Sequence, residues 1–85
     1  IPTDDRFVSA YASVGRYDKV TAIWRKKTAK DPNNSQLHLS LAASLLAENK
    51  RSASNAELET VIRLKPDFKA TAEHFIGEIR AGRNP

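Results

Sequence analysis

Cysteine and methionine are both absent from these 85 residues, tryptophan occurs once, and there are only three glycines and four prolines. With no thiol in the chain, disulfides, thiolate nucleophiles and cysteine-ligated zinc are excluded, while the redox compartment is left open. Long apolar runs are missing as well. No stretch approaches the roughly 20 residues of a membrane span, and no signal-peptide pattern opens the chain. The first residue is Ile rather than Met, so the expectation is an excised or processed piece of a longer protein. A domain of this size buries only about 60% of its unfolded surface, which leaves little core to enclose an active site.

What is present is helical periodicity with clear stops. Phe7, Val8, Tyr11 and Val14 form a one-sided stripe closed by Gly15, which predicts a helix over about 4–14. A second helix, 18–30, is expected to start at Asp18 as N-cap, carry Val20, Ile23 and Trp24 inward, and stop at Asp31-Pro32. The third, 35–48, has Leu37, Leu39, Leu41, Ala42, Leu45 and Leu46 around more than half its circumference and is expected at the centre. A fourth, 52–64, begins near Ser52 and buries Leu58, Val61 and Ile62. A fifth, 68–81, is expected to follow an Asp67 cap, turn Ala72, Phe75, Ile76 and Ile79 inward, and end at Gly82.

These elements repeat. Lys30-Asp31-Pro32-Asn33-Asn34 and Leu64-Lys65-Pro66-Asp67-Phe68 lie thirty-four residues apart, and the same shift aligns Tyr11 with Leu45, Phe7 with Leu41 and Phe75, Val8 with Ala42 and Ile76, Trp24 with Leu58, and Thr28 with Ile62. A fixed period of this length is the mark of stacked helical hairpins, no one of which can bury its apolar face alone. The fold class expected is therefore all-α, a helical-hairpin solenoid. The chain holds about two and a half units: repeat one over about 1–34, repeat two over about 35–68, and a capping helix over about 67–82.

Tyr11, Gly15, Tyr17-Asp18, Trp24 and Asp31-Pro32-Asn33-Asn34 in the first unit, with Leu41, Ala42, Leu45, Leu58 and Pro66-Asp67 in the second, resemble the tetratricopeptide repeat. In the second unit Asn49 replaces the turn glycine, and Ser54 stands where the family prefers Ala. In the first, Val8 is bulkier than the small residue usual midway along the helix, and Lys27 takes a site normally given to a buried Ala. The resemblance implies that the first helix of each unit lines a shallow concave groove that binds a protein or peptide. Carried over by the thirty-four-residue shift, that groove consists of Asp5, Leu39 and Glu73; Ser9, Ala43 and Gly77; and Ala12, Leu46 and Arg80. Its apolar centre suits an amphipathic helix or an extended apolar peptide. Whether Leu39 and Leu46 face this groove or pack as core is left open. The family's clamp for acidic chaperone tails needs Lys, Arg and Asn where this chain has Asp5, Ser9, Ser40, Ala70 and His74, so that specificity is not expected.

The same resemblance places Trp24 between the two helices of the first unit, against the start of the third helix. The run from Pro66 to Pro85 also resembles the end of tetratricopeptide tails on bacterial O-antigen ligase or polymerase-type membrane proteins, and a terminal appendage of such an enzyme is the alternative reading.

The net charge of +4 is uneven: residues 1–34 carry seven Lys/Arg against four Asp/Glu, residues 35–68 four against four, and residues 69–85 three against two. Arg25, Lys26, Lys27 and Lys30 gather near one helix C-terminus, where cations complement the macrodipole. A basic nucleic-acid-binding surface is the third reading, disfavoured because the one nearby ring, Trp24, belongs to the apolar stripe. Catalytic machinery is not expected. His38 and His74 read as packed or surface residues, His38 with the fifth helix as its expected neighbour. His74 and Glu78, four residues apart, make at most two of the three or more ligands a zinc site takes. No Gly-rich phosphate loop and no strand-turn-helix elbow surrounds any serine. A non-enzymatic chain without cofactor or metal is expected, with self-association through exposed ends of the stack as a further expectation.

Overall fold

The computed structural model describes residues 5–84, with side chains over 8–84. Among them are five helices and one short turn of 3₁₀ helix: α1 (Asp5–Ser13), α2 (Tyr17–Lys30), α3 (Ser35–Ala47), α4 (Arg51–Leu64), the 3₁₀ turn Pro66–Phe68, and α5 (Lys69–Arg80). The architecture is all-α, two helical hairpins followed by a fifth helix. α2 and α4 begin and end thirty-four residues apart. Phe7, expected inward on α1, lies outside the described side chains.

The turns explain where the helices stop. Gly15 has φ 76°, and behind it the Arg16 N–H returns to the Tyr11 carbonyl at 2.8 Å while the Gly15 N–H reaches Ala12 at 3.1 Å. Two carbonyls left over at the end of α1 are thereby satisfied. Gly82, with φ 84°, closes α5 in the same way, its own N–H on Ile79 and that of Arg83 on Glu78. Helix starts are less regular. Asn34 caps α3, its side-chain oxygen accepting from the Gln36 and Leu37 N–H groups at 3.1 and 3.4 Å. Asp18 does not cap α2: the helix begins at Tyr17, so Arg16, with φ −87° and ψ 62°, holds the cap position and Asp18 sits in the first turn, bonded to the Arg16 guanidinium at 3.1 and 3.2 Å. Asp67 likewise falls inside the 3₁₀ turn, and Phe68 precedes α5.

Each helix packs on its neighbours in sequence, the α3–α4 interface being the most extensive; among the described residues α3 and α5 make no close backbone contact. The core is Val20, Ile23, Leu41, Ala42, Leu45, Leu58, Val61, Ala72, Ile76 and Ile79. Within it Ala42, Leu58, Ile76 and Ile79 form one cluster on which Leu39, Leu46, Ile62 and Phe75 pack half-buried. Ile62 and Phe75, expected inside, are therefore at the edge. Val14 is 70% exposed, because α1 ends one residue before it and the Gly15 turn swings it out. The molecule measures 33 × 28 × 16 Å along its principal axes. No helix among the described residues is long and apolar enough to cross a membrane.

Candidate functional site

Among the described residues α3 and α5 both pack on α4 and make no close backbone contact with each other. Ser54 and Leu58 of α4 form the floor of a cleft whose walls are Leu39, Ala42, Ala43 and Leu46 on α3 and Phe75 and Ile79 on α5, enclosing about 310 Å³. Phe75 is held against Phe68 edge-on, ring centroids 6.3 Å apart. The one polar side chain in the cleft is already used, since Ser54 donates to the Ala42 carbonyl at 2.8 Å and is itself buried. An occupant would meet methyl and ring surface without a free donor to anchor it.

A second hollow of about 280 Å³ opens on the other flank of α3, lined by Tyr17, Val20, Trp24, Ser40, Ala43, Ser44 and Ala47. The Lys27 ammonium lies 5.1 Å from the Trp24 ring centroid, a cation–π contact on the aromatic that lines this hollow. Trp24 is only half-buried, and the fully covered residue of α2 is its neighbour Ile23. Ala43 is exposed and belongs to both hollows.

Three of the nine groove residues expected from the sequence, Leu39, Ala43 and Leu46, come together in the α3–α5 cleft. Glu73, Gly77 and Arg80 do not join them; they line a separate hollow of about 430 Å³ with Glu59, Ile62, Lys69 and Ile76. On α1, Ser9 is exposed and Ala12 half-buried, and the Asp5 side chain lies outside the described residues. A pure thirty-four-residue shift names the same flank of a helix each time, whereas a cleft joins the forward flank of one helix to the backward flank of the next. Applied to opposite flanks, the repeat would have found Phe75 and Ile79, which correspond to Leu41 and Leu45. The floor residue Leu58 was equally accessible as the partner of Trp24 in the repeat.

The two histidines have different surroundings. His74 is largely exposed, 3.8 Å from Glu78, which also pairs with Arg83. His38 is buried, and it approaches α4 and the α2–α3 turn rather than α5: Nδ1 is 2.7 Å from Glu57 Oε1 and Nε2 is 2.7 Å from the Pro32 carbonyl oxygen. Burial pulls its pKa down, the hydrogen bonds to Glu57 and Pro32 push it up, and the net result lies above the ordinary histidine value. Among the described residues no group of three or more His, Asp or Glu is placed to hold a metal ion.

No family model matches the chain, and neither a curated protein nor a solved structure matches it. The class defined by the fold is an all-α chain of helical hairpins, with an open apolar cleft on one face.

Proposed function

We propose that the chain is a protein-interaction module of the tetratricopeptide kind, without enzymatic activity, that holds an apolar peptide or the apolar face of a helix from a partner protein in the cleft between α3 and α5. The observation carrying this reading is the cleft itself: Leu39, Ala42, Leu46, Leu58, Phe75 and Ile79 converge on an open hollow whose one polar group is internally bonded. Apolar surface open to solvent and lined by fixed side chains is the chemistry that receives an apolar anchor. The solenoid reading is supported by the thirty-four-residue spacing of α2 and α4 and of the turns at Gly15 and Asn49.

Ala43 provides the test. It is exposed, lies between the two hollows, and sits mid-helix, so Ala43→Arg fills the groove with a good helix former at little cost in stability. Peptides selected from a random library on the folded chain should lose binding to Ala43→Arg and should raise the emission of Trp24, the single tryptophan, or shift it to shorter wavelength when they extend into the α2 side. Selected peptides that bind the folded variant as tightly as the parent would place the interaction on another face.

A further inference from the structure

We infer that His38 is a proton-operated clamp: as an imidazolium it ties the α2–α3 turn to the middle of α4, and loss of one proton opens the tie. The argument rests on which atoms face the ring. Glu57 Oε1 and the Pro32 carbonyl oxygen lie 2.7 Å from Nδ1 and Nε2 respectively. A carbonyl only accepts, and so does an ionised carboxylate. Two acceptors at hydrogen-bond distance therefore require an N–H on both nitrogens of one ring, which only the imidazolium has. In either neutral tautomer one of the two contacts becomes a lone pair facing an oxygen, in a place too covered for water to take over readily.

The charges around the ring are few. α3 carries no other ionisable residue between Ser35 and Ala47. α4 presents Glu57, which favours the proton, and Arg63, whose positive charge opposes it. The turn contributes the Pro32 carbonyl, and among the described residues α2 offers the ring no charged partner. Burial works against the charged form, the two hydrogen bonds work for it, and the bonds prevail.

The direction of the pH effect follows. A histidine whose folded-state pKa lies above its unfolded value of 6.5 contributes its full stabilisation below 6.5 and loses it as the pH rises through the folded-state pKa. The consequence is local as well as global. Asn34 caps α3 from within the same turn, and Leu39, a wall of the cleft, follows His38 directly in sequence. Deprotonation would therefore loosen the N-terminal half of α3 before the C-terminal half, which is held through Leu45 and the Thr21, Ser44 and Glu48 contacts.

The 85-residue chain carrying His74→Asn leaves a single imidazole to follow by NMR from about pH 5 to pH 9. The Cε1 proton of His38 is expected to titrate with a midpoint above 6.5, and the urea midpoint of the folded chain is expected to fall through the same pH range. In His38→Gln that fall should disappear. In Glu57→Gln, whose amide can donate to a neutral Nδ1, it should shrink. A His38 midpoint at or below 6.5 overturns the clamp, as does a urea midpoint that falls equally in His38→Gln. If His38→Gln does not fold, the titration and the Glu57→Gln slope decide the matter alone.

Discussion

Asn49 takes, in the turn between α3 and α4, the left-handed backbone position that Gly15 takes thirty-four residues earlier between α1 and α2: φ is 62° at one and 76° at the other. Behind Asn49 the Lys50 N–H returns to Leu45 and the Asn49 N–H to Leu46, both at 2.9 Å, matching the pair behind Gly15. The motif has survived the change of residue because asparagine is one of the few side chains that visits this region readily.

Gly15→Ala is therefore expected to destabilise the chain by about 1 kcal/mol, as the usual cost of a Cβ in the left-handed region. The cost is conformational alone, since a Cβ built at Gly15 meets nothing within 4 Å. Asn49→Gly should be neutral or mildly stabilising, and Asn49→Val should lose more than about 1 kcal/mol. Urea midpoints of the three variants give the order. An Asn49→Val chain as stable as the parent would mean that the turn can be remade without a left-handed residue.

Much of this was legible in the sequence, and the illegible parts share a cause. Helix boundaries fell within one residue of those expected because Gly15, Asp31-Pro32 and Gly82 are backbone signals, read from local sterics. Caps at Asp18 and Asp67 were misplaced because the preceding turn fixes where the first helical residue lies, and that geometry has no side-chain signature. The apolar rows of α3 and α5 were both read, Phe75 and Ile79 as inward, but they were not joined into one cleft, because periodicity tells which residues share a face and leaves unsaid which flank a neighbouring helix covers. His38 shows the same limit: α3 has no charged neighbour in its own sequence, and the partner Glu57 comes from across the α3–α4 interface.

Ile23 and Trp24 were both expected inward on α2, and only Ile23 is fully covered. Ile23 is 0% exposed, and Trp24 is half-buried at the rim of a hollow. Ile23→Ala should cost about 2–5 kcal/mol, in the range of large-to-small changes at closed sites. Trp24→Ala should cost less, about 1–2 kcal/mol, because part of the ring surface is never removed from water. Denaturation curves followed by circular dichroism compare the two. A larger loss at Trp24 would mean that the hollow beside it is closed in solution.

Arg51 ties the start of α4 to the end of α5. Its guanidinium donates to the Ile79 and Arg83 carbonyls at 3.0 and 3.2 Å, to Gly82 at 3.3 Å and to Asn84 Oδ1 at 3.0 Å. A cation there meets the carbonyl-rich, negative end of the helix dipole. Arg51→Ala should destabilise by about 1–2 kcal/mol, and Arg51→Lys should recover little of it, since one ammonium cannot reach four acceptors spread along a fork. Amide exchange at residues 79–83 should quicken in both variants; unchanged protection there would leave the contacts without energetic weight.

Leu39 and Ala43 are one turn apart on α3 and face the same cleft, yet they differ in what lies beneath them. Leu39 packs on the cluster of Ala42, Leu58, Ile76 and Ile79, whereas Ala43 is exposed. A carboxylate at position 39 forfeits that packing but can turn its charge toward the open cleft, so Leu39→Glu should lose about 1–2 kcal/mol rather than unfold the chain. Ala43→Glu should stay within about 0.5 kcal/mol of the parent, as surface substitutions usually do. Leu45→Glu, at a position 1% exposed, has no open side to turn to and should prevent folding. Thermal melts of the three separate the possibilities. If Leu39→Glu fails to fold as Leu45→Glu does, Leu39 is core, and the cleft must bind through Ala43, Leu46 and Phe75; if it melts with the parent, Leu39 is free to serve as an anchor for a partner.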